Sequence, residues 1–284
     1  MESFLKPKLH INCRGKLIDL TTPVVMGIIN LTPDSFFAQS RISNISDVLK
    51  RVEQILYQGG RMIDLGAYSS RPGAEHISCN EEKERLSPYL NAIRRQYPEA
   101  IISIDTFRSE VARMAVNDYE ADIINDISGG EMDPQMFEVV AGLKVPYILM
   151  HMQGTPQSMQ VNPVYQDVVA EVSYSLSQKT EQLRKMGVAD VIIDPGFGFG
   201  KSLDQNYQLL KNLDQLALFE SPVLVGISRK SMIYKCLDVT PGESLNGTSV
   251  LNTLVLMQGA TILRVHDVKE AVECIKLVEK IKSV

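Results

Sequence analysis

From residue 24 onward the chain alternates between two kinds of segment. Short runs of Val, Ile and Leu, apolar at nearly every position, are followed by longer stretches in which apolar residues recur every three or four positions. The short runs lie at 24–29, 62–65, 101–104, 122–124, 145–150, 191–193, 223–226 and 261–265, which makes eight. Continuous hydrophobicity is what a parallel strand covered on both faces requires, whereas a half-exposed antiparallel strand would alternate. The longer stretches read as amphipathic helices. Ser46 is placed to cap one whose Val48, Leu49, Val52, Ile55 and Leu56 share a face, and Gly59-Gly60 stops it. The final stretch carries a stripe of Val268, Val272, Ile275, Val278 and Ile281.

Ahead of this repeat, residues 9–20 alternate on both sides of a turn containing Gly15, the pattern of a short β-hairpin. Eight strand-then-helix units in 284 residues point to a closed (β/α)₈ (TIM) barrel more than to an open doubly wound sheet. No linker, low-complexity stretch or charge block divides the chain. The expectation is one domain over 1–284, with 1–21 as the hairpin segment and 22–284 as the barrel.

Composition narrows the function class. A formal net charge of −5 argues against nucleic acid, which wants a basic face. No apolar run approaches the roughly 18 residues needed to span a bilayer, and the first residues lack the layout of a secretory leader. The four cysteines, Cys13, Cys79, Cys236 and Cys274, show no paired or zinc-like spacing and read as free thiols in a reducing cytoplasm.

The candidate chemistry sits at the strand ends, where barrel enzymes carry their catalytic groups. Asn30 and Asp34-Ser35-Phe36 follow the first strand, and Ser69-Ser70-Arg71-Pro72-Gly73 the second. Asp105 follows the third and Asn125-Asp126 the fourth. The run from Asp194 to Lys201 follows the sixth, Ser228-Arg229-Lys230-Ser231 the seventh, and Arg264 with His266-Asp267 ends the eighth. Each has an ordinary alternative. An Asp after a strand is often a helix cap, an Arg-Lys pair is often a solvated surface, and glycines around Phe197 can simply shape a turn. His151 reads as structural more readily than catalytic, and Asp126 serves equally well as a cap.

In a barrel, however, Asp105, Asn125, Asp194, Lys230 and Arg264 converge on one cavity. Such a ring of charge is costly unless it meets a ligand. Carboxylates and an amide suit the donor and acceptor edge of an aminopyrimidinone. Lys230 can donate to a carbonyl or ring nitrogen, and Arg264 offers a flat cation for stacking. Asn30, Arg71, Arg264 and His266 supply donors for a phosphate. The glycines at 196, 198 and 200 lack the dinucleotide-binding spacing.

Seven motifs in order carry a resemblance to the dihydropteroate synthase family that runs nearly end to end. They are the run from Met26 to Phe36, Ser69-Ser70-Arg71-Pro72-Gly73-Ala74, Ile104-Asp105-Thr106, the run from Ile124 to Gly130, the run from Asp194 to Lys201, Ser228-Arg229-Lys230-Ser231, and Arg264-Val265-His266-Asp267. The chain departs from the family pattern twice. Gly66-Ala67-Tyr68-Ser69-Ser70 stands where the family has Gly-Gly-Glu-Ser-Thr, and Phe37-Ala38-Gln39-Ser40 stands where it has Ser-Asp-Gly-Gly. Both fall in loops that the family closes over its substrates.

The resemblance implies a transferase of folate biosynthesis and a sulfonamide target. It condenses a 6-hydroxymethyl-7,8-dihydropterin diphosphate with p-aminobenzoate. The implied pterin contacts are Asp105, Asn125, Met150, Asp194, Lys230 and Arg264. The diphosphate would meet Asn30, Arg71, Arg264 and His266, with Mg²⁺ on Asn30. The aminobenzoate would lie among Phe36, Ser70, Pro72, Phe199, Lys230 and Ser231, and Asp105, Lys230 and Arg71 would be catalytic. A homodimer through the last helices is implied as well. Three alternatives remain at this stage. A methyltetrahydrofolate–corrinoid methyltransferase would share the pterin pocket, but Ser69–Gly73, Ser228–Ser231 and Arg264–Asp267 favour the synthase. A catalytically silent paralogue would bind pterin without turnover. An aldolase-like barrel would use Lys230 as a Schiff base and leave the Asp–Asn–Asp ring unexplained.

Overall fold

A computed structural model describes residues 9–32, 44–69, 76–159 and 163–284. All eight expected barrel strands form: β3 (Val24–Asn30), β4 (Met62–Gly66), β5 (Ile101–Asp105), β6 (Ile123–Asp126), β7 (Tyr147–Met150), β8 (Val191–Asp194), β9 (Leu224–Val225) and β10 (Ile262–Val265). They build one eight-stranded parallel sheet in the order β8-β7-β6-β5-β4-β3-β10-β9. A parallel bridge between Ile193 and Val223, with the Ile193 amide donating to the Pro222 carbonyl at 2.8 Å, brings the ends together. β9 is shorter than its apolar run, and just before it the Thr261 hydroxyl accepts from the Val223 amide at 3.0 Å.

The helices follow in turn: α1 (Ile45–Tyr57), α2 (Cys79–Gln96), α3 (Ser109–Tyr119), α4 (Met136–Leu143), α5 (Val168–Lys185), α6 (Leu203–Lys211), α7 (Ser231–Leu237), α8 (Leu245–Met257) and α9 (Val268–Lys282). The cap of α1 is Asn44, not Ser46. Its side chain accepts from the Asp47 amide at 3.0 Å, and Ser46 already lies inside the helix. The cap must sit where the backbone is still extended, and Asn44 has φ −154° and ψ 167°.

Strand residues divide by parity. Val25, Ile29, Ile63, Leu65, Ile102, Ile104, Ile124, Leu149 and Ile193 point outward and pack with the helices in the main core. Val24, Met26, Met62, Ile123, Ile148, Ile192, Leu224 and Ile262 point inward and fill the lower barrel. One step up the same strands, the inward positions become Asp64, Asn125, Met150, Asp194 and Arg264.

The expected hairpin forms from β1 (His10–Cys13) and β2 (Lys16–Asp19), turning through Arg14 and Gly15, both at positive φ (49° and 80°). It stoppers the lower end of the barrel. Ile11, Cys13 and Leu20 join the inward apolar layer. Asp190 accepts from the Asn12 amide at 2.9 Å. Asp122 accepts from Arg14 Nε at 2.6 Å, Arg94 Nη2 at 3.0 Å and the Ile102 amide at 2.8 Å. That work at the barrel floor is why Asp122 precedes β6 instead of opening it.

Candidate active site

The step from apolar to polar inward positions makes the upper half of the barrel a polar cup. Arg264, on β10, reaches across β3. Its Nε donates to Asp64 Oδ2 at 2.6 Å and its Nη2 to Asp105 Oδ2 at 2.6 Å. Asn125 on β6 donates through Nδ2 to the same Asp64 oxygen at 3.2 Å. Asp194 closes the far side and accepts from the Gly196 amide at 2.7 Å, while Met150 Cγ lies near Gly196. Lys230, the residue before α7, extends over the cup and donates to the Phe197 carbonyl at 2.6 Å. Its ammonium lies 4.5 Å from the centroid of the Phe199 ring. A Cβ on Gly226 would come within 3.8 Å of both Lys230 Nζ and Arg264 Cβ, so these two cations line one wall.

The electrostatics follow from this crowding. Burial pushes the Asp105 carboxyl up to about 7, against the pull of Arg264 and with help from the Asp64 charge. Burial likewise raises Asp194, opposed by Lys230. Lys230 is drawn down to about 8 by burial, with Asp194 working the other way. For Arg264 burial opposes the charge, yet the two carboxylates outweigh it and hold the pKa above the ordinary arginine value. His266 is pushed down to about 4 by burial and by Arg264, so it brings a neutral donor to the rim.

The Asp194–Lys201 loop is held from beneath. Lys201, almost wholly buried, donates to the carbonyls of Gly196 (2.9 Å), Phe199 (3.0 Å) and His151 (3.3 Å), with His151 Nδ1 at 3.1 Å. Burial and this ammonium push His151 down to about 3. His151 is therefore a packed, neutral partner of the loop. Asp126 turns outward, where it takes the Tyr147 hydroxyl at 2.7 Å and the amides of Ser128 (2.7 Å) and Gly130 (2.9 Å).

Asn30 ends β3 beside Gly66, and Ser231 is the first residue of α7. The His266 amide donates to Ser228 at 3.2 Å, and its carbonyl accepts from Arg51 at 2.5 Å. Phe36, Ser70, Arg71 and Pro72 lie outside the described residues, as does the 37–40 departure from the family pattern. The other departure is anchored. Tyr68 packs edge-on to Phe107 with centroids 4.9 Å apart, under the Arg108 guanidinium at 5.4 Å, and its hydroxyl accepts from Gln157 at 2.9 Å.

Asp64 is the site residue that sequence reasoning passed over. It lies inside an apolar run, Met62-Ile63-Asp64-Leu65, and not after it. A lone carboxylate inside an otherwise apolar buried strand was the available clue.

A parallel barrel whose mouth gathers these carboxylates, amide and cations defines a pterin-binding enzyme, and the family described as pterin binding enzyme matches residues 26–266. Dihydropteroate synthase of Escherichia coli K12 is 43% identical over 273 residues, covering 95% of this chain and 96% of that protein. That of Haemophilus influenzae is 39% identical over 272 residues, covering 95% and 97%. Among solved structures, the Yersinia pestis dihydropteroate synthase with a sulfonamide drug complex superposes with a TM-score of 0.92 at 40% identity, covering 97% of this chain and 100% of that one. The Thermus thermophilus enzyme in complex with 4-aminobenzoate gives 0.86 at 35% identity, covering 95% and 99%. This chain belongs to the dihydropteroate synthase family of transferases. Among the described residues no helix is long and apolar enough to cross a membrane.

Proposed function

We propose that this chain, acting as one pterin-binding domain over its whole length, joins 6-hydroxymethyl-7,8-dihydropterin diphosphate to p-aminobenzoate, giving dihydropteroate and diphosphate. The observation that carries the reading is the Arg264-centred cup of Asp64, Asp105 and Asn125, faced by Asp194 and Lys230, in a chain so similar to synthases of this reaction. Asp194 and Asn125 face the amino and N–H edge of the pterin, and Met150 lines its face. Lys230 donates to the ring carbonyl or nitrogen. Both edges of Arg264 are held by carboxylates, which leaves its flat face for stacking on the heteroaromatic ring.

Bond breaking runs ahead of bond making in this reading. The C–O bond breaks with its electron pair leaving on diphosphate. The remaining carbon is cationic and conjugated with the ring, and ionised Asp105 stabilises it. The arylamine lone pair then forms the C–N bond, and the nitrogen loses its proton to solvent. Arg71, Arg264 and His266 hold the departing anion. Phe36, Ser70, Pro72 and Phe199 flank the aminobenzoate, with its carboxylate toward Ser231 and Lys230 beside its ring.

Among the described residues no cluster of three or more His, Cys, Asp or Glu could hold a metal, and Asn30 supplies a single amide oxygen. That donor set fits Mg²⁺, which takes few protein ligands and completes its shell with phosphate oxygens and water. Asn30 would hold the ion, and Mg²⁺ when bound would supply positive charge to the leaving group. Exposed Val250, Leu254 and Met257 on α8, with Leu277 and Ile281 on α9, support a homodimer through the last helices. The cytoplasm is the expected compartment.

The test is formation of dihydropteroate from the two substrates with Mg²⁺ present. Methyl transfer to a cobalamin carrier without condensation, or pterin binding without turnover, would replace this reading by one of its rivals. Asp194→Asn should abolish pterin binding by calorimetry while the protein stays folded. Asn30→Ala should weaken the Mg²⁺-diphosphate requirement and spare binding of a product analogue.

A further inference from the structure

Asp64 is fully buried, with Met62, Ile63 and Leu65 of the same strand buried around it. One of its oxygens serves two donors, Arg264 Nε and Asn125 Nδ2. The other, Oδ1, has no hydrogen-bond partner among the described residues, nor has the hydroxyl of Ser103, its register partner on β5. A buried carboxylate that leaves one oxygen unpaired is a poor stability device, since an apolar residue of similar volume would serve the strand better. Its presence calls for a reason at the site.

The contacts supply one. A carboxylate only accepts hydrogen bonds, so Asn125 must turn its NH₂ toward Asp64 and its carbonyl oxygen away. An amide that could face a ligand either way is thereby given one sense. The same oxygen takes Arg264 by Nε while Asp105 takes it by Nη2, which fixes the plane of the guanidinium at two points.

We infer that Asp64 is a positioning residue for the pterin site: it sets the sense of the Asn125 amide and the plane of Arg264, and through them the choice of a 2-amino-4-oxo ring over a 2,4-dioxo one. This inference rests on the pterin reading above. A free Asn125 would turn to suit either ring, whereas a fixed one discriminates.

The experiment compares the parent, Asp64→Asn and Asp194→Asn by calorimetry with a pterin and its 2,4-dioxo analogue, together with steady-state kinetics. Loss of a charge-assisted contact predicts roughly tenfold to hundredfold weaker pterin binding in Asp64→Asn. Discrimination between the two rings should shrink, and the KM for aminobenzoate should stay within about twofold. A merely structural role would move all ligands together. Parental affinity and discrimination in Asp64→Asn, with binding lost in Asp194→Asn, would overturn the inference and leave the pocket standing. Intact binding in Asp194→Asn would bring down the pocket reading and this inference with it. If Asp64→Asn does not fold, the unsubstituted protein still decides. Its Arg264 Nε–H, assigned by the resonance lost in Arg264→Lys, should exchange slowly with solvent, and rapid exchange would overturn the role.

Discussion

The guanidinium of Arg229 grips the carboxylate of Asp267 with two donors, Nε at 2.8 Å from one oxygen and Nη2 at 2.9 Å from the other. This pair ties the loop after β9 to the loop after β10, one residue away from Lys230. Arg229 sits at φ 54°, a conformation that a non-glycine residue holds only when its surroundings insist. Its further bonds to the carbonyls of Pro241 and Gly242 help to do so.

Asp267→Ala should therefore cost about 1.5–3 kcal/mol, the range for a hydrogen bond to a charged group, since the pair is only partly buried. Denaturant unfolding measures that cost. Because Lys230 follows the strained residue, kcat/KM should fall more than mere destabilisation explains at temperatures where the variant is folded.

Gly196→Ala should disable the loop that carries Phe197 and Phe199. At φ +71° a Cβ there would lie 1.9 Å from the His151 carbonyl oxygen, far inside contact distance. The expected loss is about 2–3 kcal/mol of stability, with a raised KM for aminobenzoate in whatever protein folds. A parental KM would show that the loop does not set the Phe199 wall.

The pH profile of kcat/KM should be a narrow bell with its maximum between about 7 and about 8. Asp105, pushed up to about 7, must be ionised to stabilise a cationic carbon, so activity rises as pH climbs through that value. Lys230, drawn down to about 8, loses its donor proton above it. Asp105→Asn should remove the acid limb. Folding stability responds with the opposite sign: a carboxyl raised by burial favours the fold at low pH, and that contribution is lost as pH rises through about 7.

Ile11→Ala should cost about 3 kcal/mol, a usual value for emptying a buried aliphatic site, and leave kcat and KM unchanged. The hairpin stands at the end of the barrel opposite Asp105, so a thermal melt and a rate assay should part company in this variant.

How much of this was legible in the sequence depends on where each residue draws its partners. The barrel strands are readable because a strand covered on both faces must be apolar throughout, and each run falls within two residues of its observed place. Asp105, Asn125, Asp194, Lys230 and Arg264 are readable because they end or follow those runs. Asp64 was hidden by that same rule: among Met62, Ile63 and Leu65 it counts as one more core position until parity shows it facing Arg264. The pairing of Arg229 with Asp267 was hidden because the two lie 38 residues apart, beyond any local pattern. Asn44 displaced Ser46 as a cap because two good capping residues lay within one turn, and only the backbone decides between them.

The hairpin beneath the barrel has a consequence for traffic. A vessel stoppered at its base has one doorway, so reagents and products must share it. On the proposed reading, the ring that settles deepest would arrive first, and the arylamine would follow between it and the solvent. Departure would then run in reverse, diphosphate before the joined product. The closed floor behind that queue is built jointly by the hairpin's Ile11, Cys13 and Leu20 and the strands' own inward apolar layer.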